Sequence, residues 1–129
     1  MSFLRPLSPL LLSVLRIATG LLLLQHGTSK YLSLPVTQNT GVAPFSMGGI
    51  AGMLELVGGV LLILGLFTRP VAFILSGMLA VAYFYVHAPQ GFYPILNNGE
   101  LAALYSFVLL YIASAGAGPL SVDRALGSD

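Results

Sequence analysis

Four long apolar stretches, separated by short polar breaks, set the pattern of the chain: residues 9–27, 49–67, 70–86 and 100–116. A hydrocarbon core about 30 Å thick takes roughly 20 helical residues to cross, so each stretch is sized for a transmembrane helix. The first is rich in leucine and is interrupted by Ser13, Arg16, Thr19 and Gln25. It leaves the apolar pattern through Gln25-His26-Gly27-Thr28-Ser29-Lys30. Residues 31–47 carry Pro35, Gly41 and Pro44 without a sustained period, which predicts an external loop partly lying in the membrane interface. The second stretch mixes glycine with large apolar residues. Thr68-Arg69-Pro70 then predicts a tight hairpin, with Pro70 suited to the first helical position of the third stretch.

The third stretch ends in Tyr83, Tyr85 and His87, a composition that suits a membrane interface. A turn-rich connection follows from Ala88 to Pro94. Asn98 is positioned to cap the fourth helix, and Glu100 falls in its first turn, where the macrodipole favours a carboxylate. Gly116-Ala117-Gly118-Pro119 ends that helix, and residues 121–126 predict a short amphipathic turn at the membrane surface. The expected fold is an all-α integral membrane four-helix bundle, one domain over residues 1–129.

Composition agrees with that pattern. Of the 129 residues 57% are hydrophobic and 7% charged, too few charges to cover a soluble globule. A net charge of +1 gives no basic field for nucleic acid. Without cysteine the chain has no disulfide, thiol relay or cysteine-ligated cluster of its own. Arg16 interrupts what would be a signal-peptide core, so the first stretch is expected to be retained as a span. Outside the spans, Arg5, Arg69 and Arg124 fall on one side and Lys30 on the other. The positive-inside rule therefore predicts both termini in the cytoplasm.

Candidate chemistry centres on Glu55, a carboxylate inside the second apolar stretch, where a charge needs a partner or a function. Gly52, Glu55 and Gly59 share one helix face, a glycine-lined surface that lets another helix approach closely. The expected topology brings His26, Lys30, Glu55, His87, Asn97 and Glu100 toward one side from four separate segments. Arg16 lies ten residues before His26, about 15 Å deeper along the helix axis, with a side chain long enough to climb toward Glu55. The pair reads either as a structural ion pair locking two helices or as part of a site. Lys30 reads as a snorkelling interfacial residue or a ligand group, and Tyr83 as a belt residue or a positioning group. The two histidines lack the usual metal spacing, and no metal is expected. No phosphate loop, nucleotide fingerprint or Ser/His/Asp arrangement is present.

Several segments together resemble the DoxX family: Leu15-Arg16-Ile17-Ala18-Thr19-Gly20, His26-Gly27-Thr28-Ser29-Lys30, Glu55-Leu56-Val57-Gly58-Gly59 and Gly65-Leu66-Phe67-Thr68-Arg69. Tyr93 through Asn97-Asn98-Gly99-Glu100-Leu101-Ala102 and the Gly-Pro-Leu-Ser-Val-Asp ending extend the likeness over nearly the whole chain. The resemblance implies a small four-helix bacterial inner-membrane protein, in a family named for terminal-oxidase and thiosulfate:quinone oxidoreductase subunits. Its Arg, His-Gly-x-x-Lys and Glu-x-x-Gly-Gly positions correspond here to Arg16, His26, Lys30 and Glu55.

The leading functional expectation is a redox-associated subunit that binds a quinone headgroup in a pocket on the outer side. His26 and Lys30 would donate hydrogen bonds, Glu55 would relay protons, and Arg16 would hold Glu55 ionised. Tyr83, His87, Asn97 and Glu100 would complete the ligand contacts. Electrons would come from a partner subunit, soluble or membrane-bound. The other expected partners are the lipid bilayer and a second copy of the chain, and no nucleic acid. A non-enzymatic scaffold for a partner protein is the alternative. Transport of a small solute ranks last, because no inverted repeat or matching second pathway is visible.

Overall fold

The computed structural model describes residues 1–128, all helix, turn and loop, with no strand among the described residues. Three helical segments are long and apolar enough to cross a membrane: Ser2–Leu32, Met47–Leu64 and Thr68–Gln90. A fourth apolar helix, Glu100–Ala115, has 16 residues and so spans about 24 Å, somewhat less than a full hydrocarbon core. We number the α-helices α1 (Ser8–Leu32), α2 (Met47–Leu64), α3 (Thr68–Ala82), α4 (Pro94–Asn97), α5 (Glu100–Ala115) and α6 (Val122–Ala125).

Boundaries differ from the sequence reading where polar residues were taken for helix ends. The Gln25–Lys30 stretch is the last part of α1, which runs on to a left-handed cap at Ser33. Gly65, Leu66 and Phe67 form the α2–α3 connection, Thr68 opens α3, and Pro70 is its third residue. Asn98 does not cap α5; it is a left-handed residue closing α4, and the flanking residue of α5 is Gly99. Residues 121–126 do form a helical turn, with the Ser121 side chain accepting from the Arg124 N–H.

The helices pack as two close pairs, α1 with α2 and α3 with α5, with looser contact between the pairs. Glycine makes the first pair close. A Cβ on Gly27 would lie 2.7 Å from Leu56, and one on Gly59 would lie 3.0 Å from the Leu24 backbone. The second pair is joined by reciprocal serine bonds. Ser76 Oγ donates to the Ser106 carbonyl at 2.7 Å, and Ser106 Oγ to the Ser76 carbonyl at 3.0 Å. Leu23, Leu62, Leu75, Leu79, Tyr105, Leu109 and Ile112 fill the centre, while Leu21, Val57, Phe73 and Phe107 face outward. Large apolar side chains outside and small or polar residues at the contacts suit lipid as the solvent.

The two pairs are fastened at the end that carries the α2–α3 hairpin. Arg16 of α1, fully buried, donates to the Leu62 carbonyl of α2 at 2.8 Å, to the Leu120 carbonyl at 2.6 Å and to the Ala117 carbonyl. Ser13 Oγ donates to the Ala117 carbonyl and accepts from the Leu120 N–H, both at 3.1 Å. The Asp123 carboxylate then accepts the N–H groups of Phe67 and Thr68, both at 2.9 Å, and so satisfies the start of α3. The segment after α5 is thereby tied to α1, α2 and α3 together.

Candidate functional site

At the opposite end, which carries residues 33–46, residues of both helix pairs line a cavity of about 490 Å³. Its apolar wall includes Leu23, Leu79, Ala82 and Val86, and its polar wall includes His26, Lys30, Glu55 and His87. The four polar groups arrive from three helical segments. His26 and Lys30 are one turn apart on α1, so they project on the same side. Glu55 lies on the glycine face of α2, which α1 covers closely.

Glu55 is buried and pairs with Lys30, Nζ to Oε1, at 2.8 Å. This corrects the expected Arg16–Glu55 ion pair. The register of α1 against α2 sets Arg16 beside Leu62, near the hairpin, and Lys30 beside Gly52 and Glu55. Arg16 therefore lies at the far end of the bundle and is no part of the cavity lining. Lys30 is also more than an interfacial cation, with its side chain only 12% exposed. Among the described residues Glu55 Oε2 and the His26 ring accept or donate no further hydrogen bond.

His87 reaches the cavity from a π-helical turn, Tyr83–His87, that continues α3. Such turns rotate side chains off the regular helical positions and recur at functional sites. Behind it lies Asn97, fully buried. The Asn97 amide nitrogen donates to the Tyr83 oxygen at 3.3 Å and to the Gly91 carbonyl at 2.9 Å, and its Oδ1 accepts the Gly99 N–H at 2.8 Å. The Asn97 backbone carbonyl accepts from His87 Nδ1 at 3.0 Å. Tyr83 and Asn97 thus support His87 from behind and do not line the cavity. Glu100 is exposed and does not line it either. Among the described residues no three histidine or acidic side chains gather as a metal set.

Four further polar lining residues were passed over in the sequence, Gln38, Asn39, Gln90 and Tyr105, while Asn98, read there as a cap, lines the cavity as well. Tyr105 was accessible from pattern, since Ala102, Tyr105, Leu109 and Ile112 follow one another at helical spacing on the inner face of α5. Gln38 and Asn39 belong to the aperiodic 33–46 segment, which is tied back over α1. Ser29 and Thr37 share a hydroxyl bond of 2.7 Å, and the Gly41 N–H donates to the Lys30 carbonyl at 3.0 Å. A second, polar recess of about 490 Å³ between this segment and α1 shares His26, Lys30, Gln38 and Asn39 with the cavity.

Apolar helices of spanning length, facing lipid with large side chains and enclosing polar groups, define a multi-pass membrane protein. The DoxX family model matches residues 11–88, and the chain belongs to that family. It is 47% identical over 121 residues to a Haemophilus influenzae protein that carries the name "Uncharacterized protein", covering 90% of each chain. It is also 30% identical over 114 residues to the Bacillus subtilis protein "Putative oxidoreductase CatD", covering 85% of this chain and 82% of that one. No solved structure matches.

Proposed function

We propose that this protein binds the ring of a lipid-soluble quinone-class compound in the cavity between its helix pairs, as the membrane subunit of a redox assembly. The observation that carries this reading is the two-faced lining. Leu23, Leu79, Ala82 and Val86 offer a dry wall for a ring face, and His26, Lys30, Glu55 and His87 offer groups for its oxygens. An apolar groove of about 530 Å³ between α2 and α3, lined by Ala51, Leu54, Gly77 and Met78 among others, shares Ala82 with the cavity. A hydrophobic ligand arriving through the bilayer is consistent with that neighbour.

The name of the Bacillus subtilis relative supports a redox setting. The chain itself supplies hydrogen bonds and proton-exchanging groups, and electrons come from a partner subunit. In this reading α1, α2, α3 and α5 all cross a bacterial inner membrane. Arg5, Arg69 and Arg124 face the cytoplasm with both termini, and the cavity lies toward the outer face.

Equilibrium dialysis of the protein in lipid nanodiscs against decylubiquinone tests the proposal. His26→Ala is expected to weaken binding roughly tenfold by removing a donor to a ring oxygen, and Glu55→Gln by a similar factor by releasing the Lys30 donor that Glu55 holds at the cavity. Unchanged affinity in both variants would overturn it.

A further inference from the structure

The hydrogen-bond direction at His87 reaches beyond the presence of a ring and bears on which redox form the cavity takes. A backbone carbonyl only accepts, so the 3.0 Å contact between His87 Nδ1 and the Asn97 carbonyl requires the proton on Nδ1. In the neutral ring that leaves Nε2 with a lone pair and no proton. The partner cannot readily shift to relax this. Asn97 is fully buried, and its amide is tied to Tyr83, Gly91 and Gly99, so its carbonyl is held in place. Tyr83 lies alongside, its ring centroid 6.4 Å from that of His87.

His87 and Glu55 both line the cavity, and each brings an acceptor to it: the Nε2 of the neutral ring, and the carboxylate whose Oε1 takes Lys30. The remaining titratable groups that line it are His26, Lys30 and Tyr105. A hydroquinone presents an O–H donor at each end of its ring, which suits two acceptors. A quinone presents only acceptor oxygens, and one of them would meet the Nε2 lone pair without a proton between. We infer that His87, set in its Nδ1–H form by Asn97, makes the cavity selective for the hydroquinone form of its ligand. Asn97 is then a positioning residue, acting through His87. The inference rests on the quinone-class reading of the cavity, although the state of the His87 ring does not.

Two measurements test it. The first needs no variant at His87: nitrogen NMR of protein labelled with ¹⁵N-histidine in nanodiscs, the two histidines being told apart with His26→Gln. In its neutral form His87 is expected to carry the proton on Nδ1 and none on Nε2; a neutral ring protonated on Nε2 would overturn the inference. The second compares decylubiquinol with decylubiquinone by anaerobic equilibrium dialysis. The wild-type protein is expected to prefer the hydroquinone by about fivefold, the scale of one neutral hydrogen bond. His87→Phe should narrow the preference by lowering hydroquinone affinity. Equal binding of the two forms, or a preference undiminished by His87→Phe, would overturn the inference and leave the ring-binding reading intact. Binding of neither form to the wild-type protein would overturn both.

Discussion

Arg16 and Lys30 are two basic residues on one helix with different tasks, and the geometry separates them. The Arg16 guanidinium has donors in a flat fork, and it serves backbone carbonyls of α2 and of the segment after α5. Lys30 carries a compact charge and meets one carboxylate. Arg16→Met should leave several buried carbonyls without donors and lower stability by about 3 kcal/mol in detergent unfolding. Ligand affinity of the folded fraction should stay within twofold, because Arg16 lies far from the cavity. Lys30→Met and Glu55→Leu should each cost about 3 kcal/mol by stranding the other charge, and the double variant should cost less than the sum of the two. Strict additivity in that cycle would contradict the direct pairing.

Asp123 supplies a pH dependence at the same residue scale. Burial pushes its carboxyl up, but the hydrogen bonds from Thr68 and Phe67 and the nearby Arg16 charge more than offset this, so the carboxyl titrates below its ordinary 3.8. The native state therefore holds fewer protons than the unfolded chain in acid. The stabilisation is complete above the unfolded value and is lost as pH falls through the depressed native one. Thermal unfolding of the wild-type protein from pH 6 to 3 should show that loss. Asp123→Asn should be less stable at pH 6 and flatter toward acid. Parallel curves for the two proteins would contradict the assignment.

Among the elements, the α1–α2 pair is where the glycines decide the packing. Its glycine face was legible from the spacing of Gly52, Glu55 and Gly59, but the facing glycine, Gly27, was hidden in a stretch read as a polar exit. A leucine at Gly27 would overlap Leu56 and the α2 backbone, so Gly27→Leu should separate the pair and destabilise the protein by roughly 3 kcal/mol. Gly77 offers the contrast. A Cβ there meets nothing within 4 Å, and Gly77→Ala should be neutral or stabilising by up to about 1 kcal/mol. Comparable losses in both variants, by detergent unfolding, would refute this reading of the interface.

The sequence reading brought His87 to the cavity side, but a regular helical period continued through residue 87 gives no warning of the π-helical turn at Tyr83–His87 or of the bond from His87 to the Asn97 carbonyl. Asn98 was misjudged for a related reason. Its side chain suits a cap, yet its left-handed backbone closes α4, and the Asn97 side chain takes the Gly99 N–H instead.

For the whole molecule, the bundle is fastened at one end and open at the other. Apolar stretches of membrane length were plain in the sequence because lipid demands them over most of the chain. The identity of charged partners was not, because depth along an axis does not say which helix faces which. Glu55 had Arg16 and Lys30 as candidates, and the choice rests on the α1–α2 register, a property of close glycine contacts rather than of charge. Arg16 and Asp123 hold the pairs together at the hairpin, and Lys30, Glu55, His26 and His87 surround a cavity at the opposite end.

The measurement that tests this most directly is native mass spectrometry of the protein released from membranes in lipid particles, with the bound small molecules identified after release. The account predicts one isoprenoid ring compound of the quinone class per chain, lost in Glu55→Gln and retained in the folded fraction of Arg16→Met. A protein carrying only phospholipid, or a ring compound whose occupancy follows Arg16 and ignores Glu55, would contradict it.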